Sequence, residues 1–230
     1  MDKTSILEAL NKAKESSKSR NFKQSFDLII SLKNLDMKKT EHQIDAFINL
    51  PHAKGKKVKI CALIGPELEE NAKNICDYIL SDNFQKYKKN EIKKLAGDFD
   101  FFIAQANIMP KIATSFGKVF GPRGKMPNPK AGCVVPPNAN LAQTHEKLQK
   151  TIRISSKSSP VLQCAVGLED MNIDNIAENV SSVYSSVIRL LPNEKNNVKD
   201  IYLKLTMGKS IKVIEKKEES KKKQKTASKA

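Results

Sequence analysis

Apolar residues alternate with others at Phe26, Leu28, Ile30 and Leu32, and again at Ile44, Ala46, Ile48 and Leu50. That period of two marks strands buried on one face. Ahead of them, Ile6, Leu7, Leu10 and Ala13 recur at helical spacing behind the candidate caps Asp2 and Thr4, so 2–20 is predicted to hold an amphipathic helix. The polar stretch 36–43 reads as the connection between the two strands. From Lys57 the pattern changes. The run 58–64 predicts a buried strand, 66–80 a helix with Pro66 in its first turn, 90–96 a short helix, 99–104 a strand, 109–116 a helix and 141–152 another helix. The last third returns to the earlier style, with strands at 161–166, 201–206 and 210–214, a long helix over 173–190 and a polar break at 192–197.

This order predicts an α/β protein of two domains. Residues 1–56 and 156–215 form a split α/β domain from both ends of the chain, and 57–155 form an inserted α/β domain in which strands and helices alternate. The Lys-rich stretch 216–230 has almost no apolar residues and is expected to be disordered in isolation. A chain of 230 residues is long enough for two such cores.

The charge points to a partner. Forty-one Lys and Arg against twenty-five Asp and Glu leave +16; residues 216–230 supply seven Lys and two Glu, or +5, so +11 stays on the remainder. An excess of that size repels itself unless a polyanion is near, and nucleic acid is the natural one. Cys61, Cys76, Cys133 and Cys164 are widely spaced with no CxxC pair, which points to neither a zinc site nor a redox motif. His42, His52 and His145 have no Asp, Ser or Cys at a spacing that suggests a triad or a metal site. No apolar run approaches the roughly 20 residues that span a bilayer, so an intracellular protein without a membrane partner is expected.

The most distinctive stretch is 117–137, GKVFGPRGKMPNPKAGCVVPP, which holds four of the nine glycines and five of the ten prolines. Prolines fix φ and glycines permit φ > 0, so a rigid, shaped loop is expected rather than a flexible linker. Lys118, Arg123, Lys125 and Lys130 make it positive, and it contains no acidic residue. The Gly124-Lys125 pair resembles part of a phosphate-cradling loop, but that motif needs Gly where Val119 stands and Ser or Thr where Met126 stands. A dinucleotide fingerprint is also missing, since Gly65-Pro66 after the first strand of the insert is followed by no further nearby glycines.

The segment GPRGKMPNPKAG at 121–132 resembles the signature of the L1 family of large-subunit ribosomal proteins. The resemblance extends to Leu50-Pro51-His52 with Gly55-Lys56 and to Leu205-Thr206-Met207-Gly208, and so spans nearly the whole chain to about residue 214. Pro136-Pro137-Asn138-Ala139-Asn140 is more similar to archaeal members than to bacterial ones. The resemblance implies a split first domain, an inserted Rossmann-like second domain, and direct binding of 23S ribosomal RNA at the stalk of the large subunit. It also implies a part in releasing transfer RNA from the exit site, repression of the protein's own messenger RNA, and a cytoplasmic location on the ribosome. It implies no metal, cofactor, small-molecule substrate or enzymatic activity.

Matched position by position, the resemblance assigns the ribosomal RNA contact to Phe22, Lys157, Thr206, Met207 and Gly208. Thr206 can donate and accept through its hydroxyl, Gly208 admits an RNA backbone because it has no Cβ, and Phe22 and Met207 can pack on sugar or base faces. Lys157 would meet phosphate. Without the resemblance, Phe22 reads as a core aromatic and Thr206-Met207-Gly208 as a turn between strands. In the signature, Gly121, Pro122, Arg123, Gly124, Lys125, Pro127, Asn128, Pro129 and Lys130 suit either packing between domains or a further RNA or transfer-RNA contact. Two rival functions stand beside this one. The insert suits a small-molecule α/β enzyme, although no acid, base, nucleophile or cofactor motif supports it, and the charge suits a basic assembly protein without a specific RNA site.

Overall fold

The computed structural model describes residues 2–39, 42–73, 75–156 and 159–213. In chain order the elements are α1 (Lys3–Glu15), β1 (Ser25–Leu32), β2 (Ile44–Asn49), β3 (Ile60–Ile64), α2 (Glu69–Lys73), β4 (Asp77–Leu80), α3 (Lys89–Asp98) and β5 (Phe101–Gln105). They continue with α4 (Met109–Arg123), β6 (Val134–Val135), α5 (Leu141–Lys150), β7 (Thr151–Ser156), β8 (Val161–Leu168), α6 (Ile173–Leu190), β9 (Val198–Leu205) and β10 (Ile211–Lys212). The chain divides into two compact units, one from the described residues up to Lys56 together with those from Ile152 on, the other Lys57–Thr151.

In the first unit, β1 alternates strictly between half-buried and buried positions, and its inward residues Phe26, Leu28, Ile30 and Leu32 meet the apolar faces of α1 and α6. The four strands run in the order β10-β9-β1-β8, and each neighbouring pair is antiparallel. Helix α6 presents Ile176, Val180, Val183 and Val187 on one stripe, at steps of four, three and four residues, and all four are buried. Asn172 caps it, its side chain accepting from the Asp174 N–H. A smaller sheet pairs β2 with β7 and adds Ile44, Ile48, Ile152 and Ile154 to the same core. The sequence reading placed 152–155 in the insert and ran the preceding helix to 152. Instead the helix stops at Lys150 and β7 joins β2. Pairing with a distant strand decided this, and no local pattern reports it.

One irregularity in this sheet has a visible cause and consequence. Phe26 faces Gly167 and Asp27 faces Ala165, so Val166 is an extra residue, a β-bulge. Its carbonyl is taken by Asn179 of α6, which is fully buried and donates Nδ2–H at 2.9 Å. The Asn179 Oδ1 accepts the His52 backbone N–H at 3.0 Å. One buried amide therefore satisfies the bulge and also holds the segment that follows β2.

The second unit is a parallel sheet in the order β4-β3-β5-β6 with helices on both faces. All five residues of β3 are buried. Cys61 and Leu63 join a core with Ile92, Ala96, Ile112, Phe116 and Phe120 from α3 and α4, while Ile60, Ala62 and Ile64 join Ala72, Leu141 and Leu148 from α2 and α5. Phe84, Phe116, Phe120 and Phe102 form a chain of ring contacts with centroids 5.2, 5.3 and 4.3 Å apart, the first edge-to-face, the second stacked and the third tilted.

Two expectations within this unit are corrected. The predicted helix 66–80 is a 3-10 turn at Pro66–Leu68, a short α2 and the strand β4. Tyr78 and Ile79 favour a strand, and parallel pairing with β3 overrides the helical spacing. The shaped loop expected from 117 begins later, because α4 runs through Pro122 to Arg123. The buried residues Ile112, Phe116, Val119 and Phe120 continue one helical stripe into the Gly- and Pro-rich stretch. The helix stops at Gly124 in the left-handed conformation (φ 63°), with the Gly124 N–H bonding Gly121 O and the Lys125 N–H bonding Phe120 O. This double bond pattern is a Schellman cap, and glycine adopts it without a Cβ penalty.

Candidate nucleic-acid interface

At the start of β1 and the end of β9 two short segments meet. The Thr206 N–H donates to Ser25 O at 3.0 Å, and the Thr206 hydroxyl donates to that same oxygen at 3.2 Å while accepting the Ser25 N–H at 3.0 Å. The Met207 N–H donates to Gln24 Oε1 at 3.2 Å, and the Gly208 N–H closes the turn onto Leu205 O at 2.8 Å. Thr206, Met207 and Gly208 are thus brought against Gln24 and Ser25, two or three residues along the chain from Phe22.

Exposure separates the two readings of Phe22, while 206–208 is the turn between strands that position alone suggested. Phe22 is 50% exposed and Met207 61%, and with Leu190 they are the exposed large apolar residues among the described ones. Phe22 is therefore not a core aromatic, although its place beside a strand suggested one. Large apolar side chains left in water at a well-braced turn are the sort of feature that a partner covers. Lys157 lies outside the described residues.

Gln24 is the residue that sequence reasoning missed. It is 1% exposed, and its Nε2 donates to Ser17 Oγ at 3.2 Å and to Lys18 O at 3.4 Å, just beyond α1. Its backbone carbonyl accepts the Glu169 N–H at 3.0 Å, and the neighbouring Lys23 pairs with Asp170. A single buried side chain thus holds the segment after α1 and the 206–208 turn, and its backbone holds the turn after β8. The signal was present, because position 24 falls on the same phase as the buried positions 26, 28, 30 and 32.

The signature segment in the second unit is tied mainly to its own scaffold. Arg123 Nη1 donates to Lys93 O at 2.8 Å, at α3. Lys125 Nζ donates to Phe99 O at 3.0 Å and Asp100 O at 3.1 Å, just before β5. Asn128 Oδ1 accepts the Lys130 N–H at 2.9 Å and caps a 3-10 turn at Pro129–Ala131. Arg123 and Lys125 therefore spend part of their hydrogen-bonding capacity on backbone carbonyls of the same unit.

The doubly wound sheet has a natural ligand crevice where its strand order reverses, outside the carboxyl ends of β3 and β5. Here a buried glutamine ties the ends of the two strands together. Gln105, 2% exposed, accepts the Gly65 N–H at 2.9 Å and donates to Glu67 Oε2 at 2.9 Å. The thiols are equally unsuited to nucleophilic work: burial pushes Cys61 and Cys164 up to about 12 and Cys133 up to about 11, and it raises Cys76 as well. His42 accepts the Asp36 N–H through Nδ1, and His52 Nε2 meets Glu178 at 2.8 Å. No cluster of three metal-ligating side chains occurs among the described residues, and no helix of theirs is long and apolar enough to cross a membrane.

A basic α/β chain with exposed apolar residues at a braced turn has the features of a protein that binds a partner through its surface. Residues 12–209 match the Ribosomal protein L1p/L10e family, and the chain belongs to that family. It is 41% identical over 213 residues to the large ribosomal subunit protein uL1 of Methanothermobacter thermautotrophicus, covering 91% of this chain and 98% of the relative. It is 40% identical over 226 residues to the protein of the same description from Methanocaldococcus jannaschii, covering 97% and 100%. The corresponding Nanoarchaeum equitans protein is 40% identical over 213 residues, covering 90% and 99%. These relatives are archaeal, in line with the archaeal character of the 136–140 segment. Family membership makes the chain a ribosomal protein of the large subunit that associates with ribosomal RNA, and not an enzyme.

Proposed function

We propose that the first unit grips a folded segment of 23S ribosomal RNA at the stalk of the large subunit, through Phe22, Lys157, Thr206, Met207 and Gly208. The observation that carries this reading is the pair of exposed apolar side chains, Phe22 and Met207, at a turn fixed by the buried Gln24. Structured RNA is recognised through shape, stacking and backbone contacts rather than by reading its deep, narrow major groove. A rigid turn flanked by an aromatic ring and a thioether suits that mode, and the net charge supplies the phosphate attraction. On this reading the second unit engages transfer RNA leaving the exit site, and the first unit also binds a mimic of the ribosomal site on the protein's own messenger RNA and represses its translation. All of this takes place in the cytoplasm.

The test is a competition assay of the stalk RNA segment against an unrelated structured RNA of equal length, at physiological salt. It compares the parent with a variant carrying Thr206→Ala and Met207→Ala. A preference for stalk RNA of roughly a thousandfold in the parent, lost in the variant, is expected. Equal affinity for both RNAs would reduce the chain to a generic polycation.

A further inference from the structure

The parallel sheet of the second unit sorts charge between its two faces. On the face of Cys61 and Leu63, α3 and α4 pack together with Phe84 of the 3-10 segment Ser81–Lys86. The residues that build this layer, 81–98 and 106–125, hold nine Lys and Arg against three Asp and Glu, a net +6. On the face of Ile60, Ala62 and Ile64 lie α2 and α5. The residues of that layer, 66–77 and 136–150, hold three Lys against five Asp and Glu, a net −2. Lys57–Thr151 as a whole has fifteen Lys and Arg and nine Asp and Glu, also +6. The excess of the unit is therefore concentrated on one side.

That charge is accessible. Lys89 and Lys93 are exposed one turn apart on α3, and Lys111 and Lys118 are exposed two turns apart on one stripe of α4. Among the described residues no ion pair engages any of these four. Arg123, at the end of α4, joins the two helices by donating to Lys93 O at 2.8 Å. Between the 3-10 segment and α4 runs a groove of about 370 Å³ whose lining includes Asp82, Gln85, Lys111, Thr114 and Ser115. Lysine ammonium, hydroxyl and amide groups thus line one open surface.

The same surface lacks what other partners need. The exposed large apolar residues among the described ones, Phe22, Leu190 and Met207, all belong to the first unit. The α3–α4 face therefore offers no apolar anchor of the kind that dominates protein–protein interfaces, where lysine is also depleted. It also offers no exposed aromatic platform on which unpaired bases could stack. Phosphates along a double helix need neither, because point charges with rotatable donors suffice to hold them. We propose that the α3–α4 face of the second unit grips the phosphate backbone of a double-helical RNA segment through Lys89, Lys93, Lys111 and Lys118. This rests on the reading in which the second unit engages transfer RNA, and it adds the face that meets the RNA and the part of the RNA that is held.

The experiment uses the full chain saturated with stalk RNA, so that the first unit is occupied, and titrates labelled transfer RNA at several salt concentrations. Two triple variants with equal loss of charge are compared. One carries Lys93→Gln, Lys111→Gln and Lys118→Gln on the α3–α4 face, the other Lys73→Gln, Lys147→Gln and Lys150→Gln on the opposite face, with thermal melting as the check of folding. The first should weaken binding about tenfold or more near 0.1 M salt and lower the slope of log affinity against log salt by about 2–3. The second should stay within about twofold of the parent, with its slope unchanged. A plain RNA duplex should compete for the site, and a single strand of equal length or polyglutamate of matched charge should compete poorly. Equal losses in the two triples would overturn the assignment of the face while leaving transfer-RNA binding by the chain intact. Polyglutamate competing as well as duplex RNA would overturn it too. A parent that binds no transfer RNA would overturn the underlying reading, and the proposal with it. The competition series on the parent needs no variant, and the two triples are also compared without stalk RNA, so the outcome does not hang on the first unit.

Discussion

Replacing Asn179 by Leu should destabilise the first unit by about 0.5–3 kcal/mol, and the magnitude follows from what the side chain satisfies. Its Nδ2–H reaches the carbonyl of the bulged Val166 at 2.9 Å, and its Oδ1 receives the His52 N–H at 3.0 Å, all from a fully buried position on α6. Leucine has a similar size but neither polar group. The Val166 carbonyl, displaced from the ladder by the bulge, would be left without that partner at a cost of about 1–3 kcal/mol. The His52 N–H is only partly buried, and water would recover most of its bond, so it adds roughly 0.5–1 kcal/mol. Apolar burial of the new side chain offsets roughly 1 kcal/mol. In urea the transition assigned to the first unit, by hydrogen exchange of its strands, should move down by up to about 2 M with an unchanged slope. His52→Ala retains the backbone N–H and should move it much less. A loss below about 0.5 kcal/mol for Asn179→Leu would refute the argument that this amide is what makes the bulge tolerable.

Three further outcomes are expected. Gly124→Ala places a Cβ in the left-handed cap of α4 (φ 63°) and should lower stability by about 1–2 kcal/mol, read from the melting of the second unit. Lys125→Met removes the donations to Phe99 O and Asp100 O and should cost about 1–2 kcal/mol, whereas Lys130→Met should change stability by less than about 0.5 kcal/mol; equal effects would deny Lys125 its structural part. The hydrogen bonds from His52 and Lys3 hold the Glu178 carboxyl below its ordinary value near 4.5. The stabilisation is therefore complete above that value and is lost as pH falls through the depressed folded-state value. The stability difference between the parent and Glu178→Gln should accordingly be constant at neutral pH and vanish in acid, and a difference that grew in acid would contradict this assignment.

Much of the fold was legible because burial on one face imposes a period. The spacing of Ile176, Val180, Val183 and Val187 located α6, and the alternation from Phe26 to Leu32 located β1. The errors share a cause. β4 and β7 are short strands whose partners lie elsewhere in the chain, and helical spacing in their neighbourhood hid them. The Gly and Pro density of 117–137 hid the last two turns of α4, whose buried Val119 and Phe120 carried the true signal. The candidate site was half legible. The resemblance could name Phe22, Thr206, Met207 and Gly208, although position alone made Phe22 look like a core residue, and Gln24 drew no notice despite its inward phase.

The sequence by itself determined the α/β class, the basic character, the family and most elements, because periodicity, composition and motif are properties of neighbouring residues. Tertiary structure alone decided which strands pair and where Val166 bulges. It also decided that Gln105 ties the ends of β3 and β5 together and where the N–H groups of the 206–208 turn find their acceptors. These depend on residues such as Gln24 and Met207, or Asn179 and Val166, that are distant along the chain and meet only when the core has formed. A hydrogen bond is selected by three-dimensional geometry and by the cost of leaving a buried polar group unpaired, and neither leaves a local mark in the chain.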